Sequence, residues 1–198
     1  MLPSVSEMTD SDVGERGGKR ERLVSAAAEL LHRQGVQATT LQQIAEAARV
    51  PPGNVYYYFK TRDDLVRAVV DTRAQEIAEV LDALVRRPNP RSRLKALART
   101  WSDQRDLIAE SGCAIGSLCM ELNKQDRDLG RQSTQLFNPL IEWVGNQFHE
   151  MGRSDYSDLA VTYLSTVEGA SLLANNLRDP EVLARQIRLL EKWIDALE

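Results

Sequence analysis

The sequence predicts an all-α protein: an N-terminal three-helix helix-turn-helix domain joined to a larger helical domain, about nine helices in total. Three observations lead there. Apolar residues recur at helical spacing in one segment after another. Glycine and proline stand between those segments. Nothing alternates with the two-residue period of a half-buried strand, and there is no internal repeat. At 198 residues and 42% apolar composition the chain has the material for a core.

Residues 1–17 are polar, acidic and glycine-bearing, which predicts a disordered arm. A helix follows from Gly18 to about Gln34 with Leu23, Ala26, Ala27, Leu30 and Leu31 inward, and Gly35 is its expected C-cap. Thr40 and Gln43 have the spacing of a capping box. Leu41, Ile44, Ala45 and Ala48 then give a short helix one apolar face. Val50-Pro51-Pro52 ends it, because a residue before proline is pushed out of the α region. Pro52 suits the opening position of the next helix, where its missing N–H costs nothing. That helix is barely two turns, Gly53 to Phe59, and bears Asn54, Tyr56, Tyr57 and Tyr58. Thr61 caps a third helix, with Asp63 and Asp64 in its first turn.

This third helix is expected to run on to about Arg86, burying Leu65, Val69, Ile77, Val80, Leu81 and Leu84. Two prolines in Arg86–Pro90 bar its continuation. Further helices are predicted over Arg91–Ser111, with Leu94, Leu97, Ala98, Trp101 and Ile108 inward, and over about Asp126–His149, with Leu136, Phe137, Leu140, Trp143, Val144 and Phe148. Between them lies Ser111-Gly-Cys-Ala-Ile-Gly-Ser-Leu-Cys-Met-Glu-Leu122. Two helices close the chain, Asp155–Leu177 and Pro180–Leu197, the last capped by Asp179. The expected domains are an arm over 1–17, a helix-turn-helix domain over 18–66 and a larger helical domain over 67–198.

Composition narrows the function. No apolar run approaches the roughly 20 residues of a membrane span, and no signal peptide is apparent, so no membrane partner is expected. Two cysteines without a disulfide framework fit a reducing, cytoplasmic setting. His32 and His149 have no metal-ligand spacing, and neither a metal nor a cofactor is expected. The net charge of −4 conceals a segregation. Between residues 16 and 62, Arg16, Lys19, Arg20, Arg22, Arg33, Arg49, Lys60 and Arg62 face only Glu21, Glu29 and Glu46. Positive charge thus gathers around the helix-turn-helix, as contact with a phosphate backbone requires.

Two short helices joined tightly, the second rich in hydrogen-bonding side chains, suit a DNA major groove. Gly53-Asn-Val-Tyr-Tyr-Tyr-Phe-Lys-Thr-Arg-Asp-Asp-Leu65 resembles the recognition-helix signature of the TetR family of transcriptional regulators, as do the Thr39-Thr40 entry and the Ile44-Ala45 pair. The resemblance covers roughly residues 20–66; beyond it only length and helical layout are similar. It implies DNA contact through Tyr56 and Tyr57 first, then Thr40, Asn54, Tyr58, Lys60 and Arg62. Phe59 and Val55 read as core, and one of the three tyrosines must turn inward. Two departures from the family stand out: Tyr58 replaces a frequent histidine, and Arg49 replaces the usual turn glycine, at a left-handed cost of roughly 1 kcal/mol.

Cys113 has two readings: a small apolar core residue, or a thiol acidified by a helix N-terminus. Its Gly-Cys-x-x-Gly setting is similar to one branch of TetR-type regulators, a few of which sense electrophiles or oxidants. Cys119, between Leu118 and Met120, reads as core. Trp101, Gln104, Cys113, Met120, Phe137, Trp143 and Tyr163 are candidates to line a ligand cavity, with Asn123 as a further polar handle. The leading expectation is a homodimeric repressor of a double-stranded DNA operator, released by a small-molecule inducer or a thiol-reactive signal. The alternative is a helical enzyme with Cys113 as nucleophile, which lacks an obvious base. Dimerisation is expected through stripes on the last two helices: Leu159, Tyr163, Thr166, Ala170, Leu173 and Leu177, then Val182, Leu183, Ile187, Leu190, Ile194 and Leu197.

Overall fold

The computed structural model describes residues 18–125 and 127–197, so the expected arm lies outside the described residues. Among those residues every regular element is a helix. The chain divides into two compact units, Met1–Thr72 and Arg73–Glu198.

In the first unit, α1 (Lys19–Gln34) begins behind Gly18, whose amide donates to Glu21 Oε2 at 3.0 Å. It stops at Gly35, where φ is 84°, a value that costs little without a Cβ. Leu23, Val24, Ala27 and Leu31 are buried, while Ala26 and Leu30 are half-buried at the edge of the stripe. Helix α2 (Leu41–Ala47) starts with the expected capping box: Gln43 N donates to Thr40 Oγ1 at 3.2 Å, and Thr40 N to Gln43 Oε1 at 2.8 Å. Such a cap is worth about 1 kcal/mol. Gln34 Nε2 reaches across to Thr39 Oγ1 at 3.2 Å and Gln43 Oε1 at 3.3 Å, tying the end of α1 to the start of α2.

Helix α2 closes as a Schellman motif, with Val50 N donating to Ala45 O at 2.9 Å and Arg49 N to Glu46 O at 3.0 Å. Helix α3 (Pro52–Tyr58) has proline at its first position, as the sequence indicates. Val55 and Phe59 are buried and anchor it, and α1, α2 and α3 pack in succession. Helix α4 (Arg62–Val85) is opened by reciprocal bonds between Thr61 and Asp64, at 3.0 and 3.1 Å. Its first turns bury Leu65, Val66 and Val69. Truncating Leu23 or Leu65 to alanine would cost on the order of 2–5 kcal/mol.

In the second unit, Ile77, Leu81 and Leu84 of α4 are buried, but Val80, expected in their stripe, is exposed. It sits about 60° of helix rotation from Ile77, outside the face those three share. Helix α5 (Pro90–Asp103) is capped by Asn89, whose Oδ1 accepts from Ser92 N at 2.9 Å. The single helix expected over Arg91–Ser111 is divided at Gln104, where φ is −101° and ψ is 12°. Its amide bonds Trp101 O at 3.1 Å, a tightened turn, and α6 (Arg105–Ser111) restarts with Ile108 and Ala109 buried. There follow α7 (Ala114–Gln125), α8 (Arg127–Glu150), α9 (Tyr156–Leu177) and α10 (Pro180–Ala196). Asp179 Oδ1 caps α10 by accepting from Glu181 N at 2.9 Å.

Helix α9 is the centre of this unit, packed against α6, α8 and α10, while α10 also packs on α5. That placement corrects the expected dimer seam. Tyr163, Ala170, Leu183, Ile187, Leu190 and Ile194 are buried inside the protomer because α5, α6 and α8 already cover those stripes. Two residues of the expected α9 stripe do stay exposed, Leu173 and Leu177, beside Val161 and Leu172, with Leu189 on α10.

Candidate functional site

In the first unit, Tyr56 is 59% and Tyr57 76% exposed on α3, beside the buried Val55. Two large aromatic groups on a short, well-anchored helix are thus held largely out to solvent. Tyr58 is the one that turns inward. It is half-buried, with its ring edge-on to Tyr57 at 5.0 Å. Asn54 is half-buried in the first turn, its amide bonded to Pro51 O at 2.9 Å. Lys60 is exposed and folds its Nζ back to Tyr56 O at 3.4 Å.

Thr40 is exposed, but its hydroxyl is engaged with Gln43, lying 3.0 Å from Gln43 Oε1. A phosphate there would have to compete with the capping box. Arg62 is half-buried, and its Nη2 is buried with no hydrogen-bond partner among the described residues; Arg22 Nε on α1 is in the same state. Buried guanidinium donors without acceptors are costly, and an incoming anion relieves them. Arg20 lies over the Phe59 ring at 5.3 Å.

In the second unit the predicted cavity residues do not converge. Tyr163 is fully buried, its hydroxyl donating to Leu94 O at 2.8 Å, so it is a core residue. Met120 is 57% exposed and Gln104 is exposed with its amide on Thr100 O, so neither lines an interior wall. Asn123 is also exposed, and Phe137 and Trp143 are half-buried on α8. Both miss the core face that Leu136, Leu140, Val144 and Phe148 occupy.

Trp101 and Cys113 do come together, around Glu168 of α9, a residue the sequence reading passed over. Cys113 Sγ donates to Glu168 Oε1 at 3.2 Å, and the Trp101 side chain donates to the same carboxylate. The Gly-Cys-x-x-Gly pattern is explained here. Gly112 adopts a φ of 83°, and a Cβ on Gly116 would collide with Glu168 Oε2. One signal was available: Glu168 is the only charged residue between Asp158 and Arg178.

Of the two readings of Cys113, this setting favours the buried core residue over the acidified thiol. Burial first, then the Glu168 charge, push its thiol up to about 12, while the Ile115 and Gly116 amides pull the other way and lose. A thiol held protonated is a poor nucleophile and a poor electrophile sensor. Cys119 is buried too, with its thiol raised by burial and its Sγ on Ser133 O at 3.5 Å. Burial likewise raises the Glu168 carboxyl.

Residues 23–69 match the family described as bacterial regulatory proteins, tetR family, and residues 90–188 match the C-terminal domain of LmrA/YxaF-like transcriptional regulators. The chain belongs to the TetR family. It is a helix-turn-helix, DNA-binding transcriptional regulator. An uncharacterized HTH-type transcriptional regulator in the lacX 3′ region of Lactococcus lactis is 25% identical over 178 residues, covering 87% of this chain and 91% of that protein. The HTH-type transcriptional regulator LmrA of Bacillus subtilis is 24% identical over 162 residues, covering 79% and 83%. The crystal structure of a TetR transcriptional regulator from Legionella pneumophila shares the fold, with a TM-score of 0.82 at 21% identity over 90% of this chain and 98% of that one. Regulators of this family bind DNA and act as dimers. Among the described residues no helix is long and apolar enough to cross a membrane.

Proposed function

We propose that this TetR-family chain is a homodimeric, cytoplasmic repressor that leaves a palindromic operator when a small molecule binds its second unit. In this reading Tyr56 and Tyr57 make the leading base and backbone contacts, supported by Asn54, Tyr58, Lys60, Arg62 and, less directly, Thr40. Two copies related by a two-fold axis place their α3 helices about one DNA turn apart, roughly 34–36 Å. The exposed apolar residues of α9 and α10 are the surface through which the copies pair, since paired helices hide such area from water.

The observation that carries the effector half is Glu168. It is a half-buried carboxyl whose only partners among the described residues are a thiol and an indole. A half-buried acid without a cation suits a ligand that presents a cationic or hydrogen-bond-donating group. Trp101 and Cys113 would flank that ligand. Its binding favours one of two protein states, and DNA the other, so each weakens the other's affinity by the same factor. The high thiol pKa of Cys113 removes the support for release by a thiol-reactive signal.

The test begins with native mass spectrometry of the purified protein to identify a co-purified small molecule. That molecule is then titrated into protein bound to duplex DNA from upstream of its own coding region. Release of the wild type, with a weakened response from Glu168→Gln, supports the proposal. A molecule that binds tightly yet leaves DNA affinity unchanged sinks the effector half.

A further inference from the structure

Among the described residues two side-chain-bearing residues hold a positive φ, and both are arginines at 52°: Arg49 and Arg178. Both sit at the same place in the same motif. Helix α9 ends, like α2, in a Schellman motif, with Asp179 N donating to Ala174 O at 3.0 Å and Arg178 N to Asn175 O at 3.3 Å. That motif forces a left-handed residue, for which glycine is the unstrained choice. Each arginine is therefore held at a backbone cost that the helix end imposes.

At Arg178 the side chain has evident work inside the chain. Its Nη1 donates to Ala109 O at 3.4 Å and to Glu110 O, placing positive charge against carbonyls near the end of α6. Arg49 has nothing comparable. It is exposed, and its side chain makes no hydrogen bond or ion pair among the described residues. Glu46, the acid nearest to it in sequence, accepts instead from Gln42 Nε2 at 3.0 Å. A charged side chain in a strained position with no internal partner points to a partner outside the chain. The turn that carries it joins α2 directly to α3, the helix that presents Tyr56 and Tyr57.

We infer that Arg49 is a further DNA contact, holding a backbone phosphate at the turn between α2 and α3 and fixing how α3 is seated. This rests on the DNA-binding assignment of the first unit. A guanidinium on a phosphate adds affinity and orientation without reading sequence.

The test uses a 30-base-pair duplex of arbitrary sequence, titrated with full-length wild type, Arg49→Gly and Arg49→Lys from about 50 to 200 mM salt. Arg49→Gly is expected to melt at or above the wild-type temperature. Its log-affinity against log-salt slope per dimer should be shallower by about 1.8, about 0.9 for each copy's Arg49, which makes its loss of affinity over that range roughly 12-fold smaller than the wild type's. Arg49→Lys should keep the wild-type slope. Wild-type binding with an unaltered Arg49→Gly slope overturns the phosphate contact alone. A wild type that fails to bind the duplex at the lowest salt overturns the interface, and Arg49 with it.

Discussion

Cys113 Sγ lies 3.2 Å from Glu168 Oε1, and this contact joins the start of α7 to the middle of α9. The thiol donates, so the bond works against ionisation of Cys113 while it eases ionisation of Glu168. The carboxylate charge helps keep the thiol from ionising, and burial raises both groups. Gly116 completes the seat, because any larger residue would occupy the space of Glu168 Oε2.

The thiol should therefore be slow to react. In a Cys119→Ser background at pH 8, modification of native Cys113 by a small disulfide reagent should run at least roughly 100-fold slower than in the unfolded chain, because thiolate is scarce and access is poor. Equal rates in the two states would overturn the protonated, buried thiol.

Glu168 should leave a pH signature on stability. Burial raises its folded-state pKa above the ordinary 4.5, so between those two values the native state binds more protons than the unfolded one. Its neutral form thus supports the fold fully below about 4.5, and that support is lost as pH rises through the folded value. The stability of wild type relative to Glu168→Gln should fall with rising pH in that window, by at most about 1.4 kcal/mol per pH unit. Parallel denaturant profiles for the two proteins from pH 4 to pH 8 would contradict it.

Tyr56→Ala and Tyr57→Ala should each weaken operator binding by on the order of 1–3 kcal/mol. Stability should change by less than about 0.5 kcal/mol, since both side chains are exposed. Gel-shift titration read beside thermal melts separates the two effects. Unchanged affinity in both variants would mean that α3 is not the reading element.

Assembly should respond at the exposed face of α9 rather than at the buried stripe. Leu173 is 52% exposed, so Leu173→Glu should yield folded monomer with weakened DNA binding. Ala170 is buried, so Ala170→Arg should unfold the second unit, on the order of 3 kcal/mol or more from an unpaired buried charge. Light scattering at micromolar concentration decides: a Leu173→Glu protein that remains a dimer would move the interface elsewhere.

Much of the fold was legible in sequence because its causes are local. Thr40 and Gln43, Thr61 and Asp64, Asp179 and Pro180 each specify a helix start within four residues of themselves. The alternation of Val55 and Phe59 with Tyr56 and Tyr57 likewise announces which face of α3 is anchored and which is free. The division at Gln104 was less visible, because neither glycine nor proline marks a turn made by one tightened hydrogen bond.

What the sequence by itself determined was the helical class, most of the element boundaries, the basic helix-turn-helix and the family to which it belongs. Periodicity, caps and charge are properties of short stretches, and a short stretch carries them wherever it is placed. Only the tertiary structure decided the fate of the second unit's residues. An apolar stripe on α9 does not state whether a neighbouring helix or another molecule covers it; α6, α8 and α10 settled that for Tyr163 and Ala170. The acidity of Cys113 was decided in the same way. A helix N-terminus favours thiolate from within the local chain, but Glu168, 55 residues away in sequence, and the burial around it outweigh that pull. Desolvation and through-space charge depend on what is near in three dimensions, and one-dimensional spacing does not encode it.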